Sequence, residues 1–250
     1  MGRYDFSHPR LFIDADLHAG ATYALAREQS NYLRNVLRLG EGAGVLVFNG
    51  RQGEWLAHLS ADGRKSASLN CERQIRIQPA AQVLDYVFAP LKHARLDYMV
   101  QKATEMGAGR LIPVMTRRTQ VTRVNLDRMR ANTIEAAEQC GIMTIPEILP
   151  PQPLQALLEG WPAGQPLIFC DEDEPGGDPL SRLQQIAGSK TAPAPLAVLI
   201  GPEGGFAPEE RAMLSAMPQS IIIGLGPRIL RADTAAVAAL ALVQAAAGDW

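Results

Sequence analysis

The sequence predicts an α/β protein: a mostly parallel sheet covered by helices over most of the chain, preceded by a small antiparallel β unit. Three observations carry that prediction. Short apolar runs divided by turn residues fill the first part of the chain. Strand-like and helix-like segments alternate from about residue 83 onward. Glycines stand where helices of that alternation should stop and where its strands should open into loops.

In the first part, "VLVFNGRQGEWLAHLSADGRKSASLNCERQIRI" reads as three strands joined by an "NGRQG" turn and an "ADGR" turn. One helix is expected before them. Gln29, Leu33, Val36 and Leu37 follow an i, i+3, i+4 rhythm that would put Arg34 and Arg38 together on another face. After "IQPAAQ" the texture changes. Val83 to Ala89 reads as a buried strand, Leu96 to Met106 as a helix closed by Gly107, and Arg110 to Val114 as a strand. Asn125 to Cys140 reads as a helix closed by Gly141. Strands follow at Leu167 to Cys170, Leu196 to Ile200 and Ser220 to Gly224, with helices at Pro179 to Ala187, Pro208 to Met217 and Ala232 to Ala247. Such alternation implies parallel strands with helices on both faces. The texture change sets two domains, residues 1–76 and 77–250; "EDEPGGDP" and "GSKTAPAP" read as surface loops.

Composition narrows the function. The chain has 250 residues, 47% of them hydrophobic, enough for a large core without staples. It contains no apolar run long enough to span a bilayer and begins without an apolar leader, so it reads as cytoplasmic. Cys71, Cys140 and Cys170 form no CxxC and read as reduced core thiols; His8, His18, His58 and His93 have no ligand spacing, and no metal is expected. A net charge of −2 argues against indiscriminate nucleic-acid adhesion but permits local patches. Arginines cluster at Arg27, Arg34 and Arg38 and again from Arg110 to Arg130, where they serve either phosphate contact or solvated helix faces.

In an open parallel sheet, the loops leaving the C-terminal strand ends gather on one edge, where ligands bind. Two such loops are rich in glycine: "GPEGGF" after Ile200, and "GLGPRILRADT" after the strand that starts at Ser220. Cys170-Asp171-Glu172 is a weaker third. Neither glycine loop is a GxxxxGK[ST] or GxGxxG phosphate cradle, which argues against a nucleoside triphosphate or a nicotinamide dinucleotide. Bare backbone there lets main-chain groups approach a flat base closely. Asp233 or Thr234 can cap the apolar helix that follows, but capping does not account for Arg228 and Arg231 at the same place. Arginine beside a helix N-terminus and a glycine loop makes an anion site, for a carboxylate, a phosphate or a developing oxyanion.

"LIGPEGGFAPEE" with "IGLGPRILRADTAAVAAL", and upstream "LDYMVQKATEMGAGRLIPVMTRRT", "AAEQCG" and "NYLRNVLRLGEG", closely resemble the 16S ribosomal RNA (uracil-N3)-methyltransferase family of the SPOUT superfamily. The similarity covers nearly the whole chain. It implies a PUA-like β-barrel that binds RNA over residues 1–76, then a SPOUT α/β domain whose C-terminal part forms a trefoil knot, working as a homodimer. It also implies S-adenosyl-L-methionine as cofactor. The substrate it implies is small-subunit ribosomal RNA, naked or in the assembled small subunit, methylated at N3 of one uridine, U1498 in standard rRNA numbering.

Carried over by position, Leu199, Gly201 and Gly205 of the first loop line the cofactor pocket. So do Ile223, Gly224 and Leu225, then Ile229, Leu230, Arg231 and Thr234. Arg231 is the candidate to stabilise the anionic base, with Asp233 or Glu203 expected to accept the proton; for Glu203 a loop hydrogen bond to backbone amides is the other reading. RNA is expected against Arg10, Arg34 and Arg38 and against Lys92, Lys102, Arg117 and Arg118, although Lys102 can instead pair with Glu105 at i, i+3. Two positions depart from the family pattern: Ile142 follows Gly141 where a basic residue is common, and Asp233 stands where many members carry Glu. Two other readings remain open: the same scaffold methylating another RNA or a 2′-hydroxyl, and a noncatalytic ribosome assembly factor.

Overall fold

The computed structural model describes residues 7–61, 63, 66–92, 94–174, 178–186, 195–248 and 250. It divides into two compact units, Met1–Ala80 with Ala137–Ile145, and Ala81–Ala136 with Pro146–Trp250. His93 and nearly all of the "GSKTAPAP" loop lie outside the described residues.

In the first unit, strands β1 (Arg10–Phe12), β2 (Thr22–Ala24), β3 (Gly44–Phe48), β4 (Glu54–Ala61) and β5 (Ala67–Arg76) form one sheet in the order β1-β3-β4-β5-β2. β1 runs parallel to β3 and the other ladders are antiparallel. β1 and β2 occupy the two ends of this order, so the expected barrel is a mixed half-barrel instead. Its interior holds Leu11, Leu33, Val45, Val47, Leu59 and Leu69, with Cys71 among them. The "NGRQG" turn forms for a local reason. The Asn49 carboxamide oxygen accepts the amides of Arg51 and Gln52, at 3.1 and 2.9 Å, fixing an Asx-type turn. Gly53 then sits at φ +75 so close to β5 that a Cβ would come 2.2 Å from the Arg76 carbonyl.

The expected amphipathic helix is corrected. Helix α1 covers only Arg27–Asn31 and continues as a π-turn over Tyr32–Val36, where the Leu37 amide donates to the Tyr32 carbonyl at 2.9 Å. An i+5 bond widens the turn and carries later residues off the face that a 3.6-residue period assigns them. Leu33 is buried, but Val36 is 62% and Leu37 38% exposed. Arg38, at φ 55, lies beyond the turn and does not continue the face of Arg34.

The second unit contains β6 (Leu84–Phe88), α2 (Ala94–Glu105), β7 (Ala108–Met115), α3 (Leu126–Cys140), β8 (Glu147–Ile148), β9 (Gln152–Pro153) and α4 (Leu154–Glu159). There follow β10 (Leu167–Cys170), α5 (Pro179–Ile186), β11 (Leu196–Ile200), α6 (Pro208–Ala216), β12 (Ser220–Ile223) and α7 (Ala232–Ala247). The sheet order is β12-β10-β11-β6-β7-β8, with every ladder parallel. Alternation along each strand splits the core into two layers. Tyr86, Phe88, Ile168, Val198 and Ile200 pack with Met99 of α2 and Leu240 and Val243 of α7. Val87, Ile112, Phe169, Ala197 and Leu199 pack on the other side with Leu154 of α4 and Leu214 of α6. The central strands β10 and β11 are buried on both faces and so read as unbroken apolar runs. β1, β2, β8, β9 and α4 are too short to show periodicity, and the sequence did not reveal them.

Candidate functional site

β10 lies between β11 and β12, so three neighbouring strands end on one edge of the sheet. There the chain encloses a cavity of about 560 Å³. Its walls are Cys170 to Asp173 after β10, Ile200 to Gly204 and Phe206 after β11, Leu225, Gly226 and Arg228 to Arg231 after β12, the start of α7, and Arg95 of α2.

Each wall has a mechanical cause. In the first glycine loop the Gly205 amide donates to the Pro202 carbonyl at 2.9 Å, and the turn needs Gly205 at φ +66. A Cβ on Gly201 would meet the Phe206 ring at 2.6 Å, so this glycine lets Phe206 fold back under the loop, edge-on to Phe169. The buried Glu210 carboxylate anchors the loop's exit, accepting the Ala207 amide at 2.9 Å and the Arg117 amide at 2.7 Å. The Arg118 guanidinium donates to the Gly204 carbonyl at 2.7 Å, so the segment after β7 braces the same loop.

The β10 loop is acidic, and Arg211 holds three of its carboxylates while Arg182 pairs with Glu174 at 3.1 Å. Arg211 of α6 reaches Asp171 at 3.0 Å and Glu172 at 3.8 Å, and also pairs with Asp173. The second glycine loop turns at Gly226, φ +98, where a Cβ would meet nothing within 4 Å and the backbone faces open space. It ends at Arg231, the N-cap of α7, whose carbonyl accepts the Ala235 amide at 2.8 Å. Asp233 in that first turn accepts the Thr234 amide at 2.9 Å and sits at the positive end of the helix dipole. Arg95 joins the edges: its Nη1 lies 2.5 Å from Glu203 and its Nε 4.0 Å from Asp233.

Burial pushes the Cys170 thiol up to about 12, so it stays protonated at neutral pH. Cys71 is a buried core thiol, Cys170 packs partly against the core while it borders the cavity, and Cys140 is exposed. Among the described residues no group of three metal-ligating side chains occurs, and no helix is long and apolar enough to cross a membrane.

The structure brings Gly201, Glu203, Leu225, Ile229, Leu230 and Arg231 together on the cavity wall. Leu199 and Ile223 instead put their side chains into the two core layers beneath it. Gly205 backs onto Glu172 and Gly224 onto Glu174, where a Cβ would come 2.2 Å from a carboxylate oxygen and 2.9 Å from a carbonyl. Thr234 lies one residue beyond Asp233 in the first turn of α7.

Of the expected RNA contacts, Arg10 is corrected. Its side chain is 2% exposed, bonds Glu54 at 2.6 Å and the Ile142 carbonyl at 2.9 Å, and lies 4.2 Å above the Phe48 ring. A guanidinium so enclosed has no fork left for phosphate. Arg34 donates to the Gly63 and Ser66 carbonyls at 2.7 and 3.0 Å. Lys102 holds Glu105 at 2.7 Å. Arg38 and Lys92 are exposed. The carbonyls of Ile142 and Gly141, just past α3, accept Arg10 and Arg76, a helix C-terminus meeting cations, and these main-chain contacts do not account for the isoleucine side chain at 142. Sequence reading overlooked Arg95, whose signal, a cation in the first turn of a helix after a parallel strand, has no meaning until that turn is placed over the first glycine loop.

The RNA methyltransferase domain family matches residues 78–244, and the RNA methyltransferase PUA domain family matches residues 25–70. A ribosomal RNA small subunit methyltransferase E from Rickettsia conorii is 30% identical over 94% of this chain and 94% of its own. A methyltransferase from Legionella pneumophila, solved with bound S-adenosylmethionine, is 26% identical, with a TM-score of 0.79 over 97% of this chain and 99% of that one. A ribosomal RNA small subunit methyltransferase E from Neisseria gonorrhoeae, also solved with S-adenosylmethionine, shares the fold with a TM-score of 0.83 over 97% of this chain and 99% of that one, at 24% identity.

Proposed function

The chain belongs to the RNA methyltransferase family, with a PUA domain preceding the methyltransferase domain, and on that premise we propose that it methylates N3 of one uridine, U1498, in small-subunit ribosomal RNA. S-adenosylmethionine is the donor in this reading. Residues 1–76 form the RNA-binding domain and residues 77–250 the methyltransferase domain, whose C-terminal part is threaded as a trefoil knot. Two copies make the working unit, in the cytoplasm, with ribosomal RNA or the assembled small subunit lying across them.

The observation that carries the proposal is the cavity at the ends of β10, β11 and β12. At about 560 Å³ it falls within the range of sites for molecules the size of a nucleoside with an amino-acid arm. Its residues fit that donor. Gly226 exposes main chain with room beside it, Leu225, Ile229 and Leu230 supply apolar faces for a base, and Asp171 to Asp173 supply acceptors for hydroxyl and ammonium groups. When bound, the donor supplies a methyl group on a sulfonium that leaves as a neutral thioether.

The chain's own work is on the proton and the charge. The N3 proton of uridine is retained at neutral pH, and its removal leaves a negative charge shared with the two flanking carbonyl oxygens. In this reading Arg231, the N-cap of α7, binds that charge, and each unit by which the N3 pKa falls is worth about 1.36 kcal/mol. A carboxylate, Asp233 or Glu203, takes the proton as the methyl group arrives at N3. Arg118 and Glu210 keep the first loop in place meanwhile. Arg38, Lys92, Arg117 and Arg118 meet phosphate, which makes RNA affinity fall steeply with salt.

Mass mapping of modified nucleosides in 16S ribosomal RNA from cells with and without the gene tests the substrate and the position. Loss of N3-methyluridine at one site is expected; an unchanged map rejects the assignment. Calorimetry with S-adenosylhomocysteine should give heat, and a noncatalytic assembly factor would give none. Arg231→Ala should abolish transfer in a protein that stays folded, and full turnover by it would remove Arg231 from the mechanism.

A further inference from the structure

Arg95 takes no part in the proposed proton transfer, yet its guanidinium is the group that reaches both candidate bases. It enters from α2, an element separate from the two glycine loops, and lines the cavity. Its Nη1 is 2.5 Å from Glu203 in the first loop, and its Nε is 4.0 Å from Asp233 in the first turn of α7. The three side chains are 40%, 33% and 19% exposed; Arg95 and Glu203 line the cavity and Asp233 follows its lining residues Arg231 and Ala232, so the cluster sits at the edge of the cavity, partly in solvent. Two carboxylates approaching one edge repel each other, and a cation between them removes that repulsion. Arginine suits the place because its planar fork can satisfy two acceptors through different nitrogens, whereas a lysine ammonium is a single point charge.

We propose that Arg95 is a positioning residue: it clamps Glu203 and Asp233 into one coupled unit at the cavity edge, so that a carboxylate stands ready to take the proton of the incoming base. The inference rests on the methyltransferase reading, but its geometry can be tested separately. Because the clamp acts on the carboxylates, it affects turnover more than donor binding. Because it also ties the first loop to α7, its removal loosens residues 201–206 even without ligand.

The test compares the full-length protein with Arg95→Ala, Arg95→Lys, Glu203→Gln and the Arg95→Ala/Glu203→Gln pair. Hydrogen exchange of the 201–206 amides, without ligand, should accelerate in Arg95→Ala by up to about 5-fold, the worth of a half-exposed ion pair. Calorimetry with S-adenosylhomocysteine should give a Kd within about 3-fold of wild type, while kcat on ribosomal RNA falls about 10- to 100-fold, as when a reacting group is misplaced by ~1 Å. Arg95→Lys should recover part of kcat. The double variant should lie close to the more damaged single variant, since members of one network do not add. Wild-type kcat in Arg95→Ala, or losses that multiply in the double variant, would overturn the clamp. If the wild-type protein itself binds no S-adenosylhomocysteine and transfers no methyl group, the methyltransferase reading fails, and the exchange data still decide whether the tie exists.

Discussion

Two arginine–glutamate pairs, one in each unit, show how the same chemistry serves different ends according to its solvent. In the first unit Arg10 and Glu54 are 2% and 0% exposed, with Arg76 adding a second cation to the same carboxylate at 3.2 Å. At the cavity in the second unit, Arg95 and Glu203 are 40% and 33% exposed. The buried pair holds its shape because no water can replace a lost partner. The half-exposed pair contributes little to stability, because water competes for both partners. An arginine count from sequence gives both the same weight.

The comparison can be broken first at its strong end. Glu54→Ala leaves the buried Arg10 guanidinium without its carboxylate, beside the partly exposed Arg76, and should lower the unfolding free energy by about 3–5 kcal/mol. Urea titration followed by the neighbouring Trp55 fluorescence measures it; a loss below about 1 kcal/mol would make the two pairs equivalent. Gly205→Ala comes next. Its φ of +66 disfavours any L side chain, a cost of about 1–2 kcal/mol. The added methyl would also displace the Glu172 carboxylate, 2.2 Å from the Cβ position, so S-adenosylhomocysteine affinity should fall along with the melting temperature.

Glu203→Gln should change stability by less than about 1 kcal/mol, within the range of exposed pairs, yet reduce methyl transfer sharply. A matching loss of stability would place Glu203 among structural residues. Asp233→Glu adds a methylene across the 4.0 Å gap to Arg95 and should keep turnover at least at the wild-type level, whereas Asp233→Asn should not.

The smallest effect is a pH effect in the first unit. Glu72 accepts a 2.7 Å hydrogen bond from His58, which raises the imidazole above its usual 6.5, helped by the Gly42 carbonyl. The same bond lowers the Glu72 carboxyl. A raised folded-state histidine stabilises below its unfolded pKa, and this is lost as pH rises through the folded value. A lowered carboxylate stabilises above its unfolded pKa, and this is lost as pH falls through the folded value. The pair therefore contributes between those limits, at about pH 5–6. The melting temperature of His58→Ala should trail wild type most in that window and converge with it on both sides.

Much of the architecture is legible in the residue pattern. The strands Leu167–Cys170 and Leu196–Ile200 and the helix Ala232–Ala247 stand where periodicity and flanking glycines put them, and Gly107 and Gly141 close their helices at φ +78 and +71. Those signals are local: a strand buried on both faces must be apolar throughout, and a helix must stop where a left-handed residue ends it. The segment at Gln29 to Leu37 misled for an equally local reason, since a π-turn uses the residues of an α-helix with a different period.

By its own sequence the chain determined the class of its larger fold, the parallel alternation, and the two glycine loops on one sheet edge, because each depends on neighbours within about 20 residues. Tertiary structure alone decided which cations are buried and which are available. It also decided that Phe206 fills the space over Gly201, and that Arg95 stands between two carboxylates at positions 203 and 233. Charge and exposure are properties of an environment, and the environment of a side chain is assembled from segments the sequence keeps far apart.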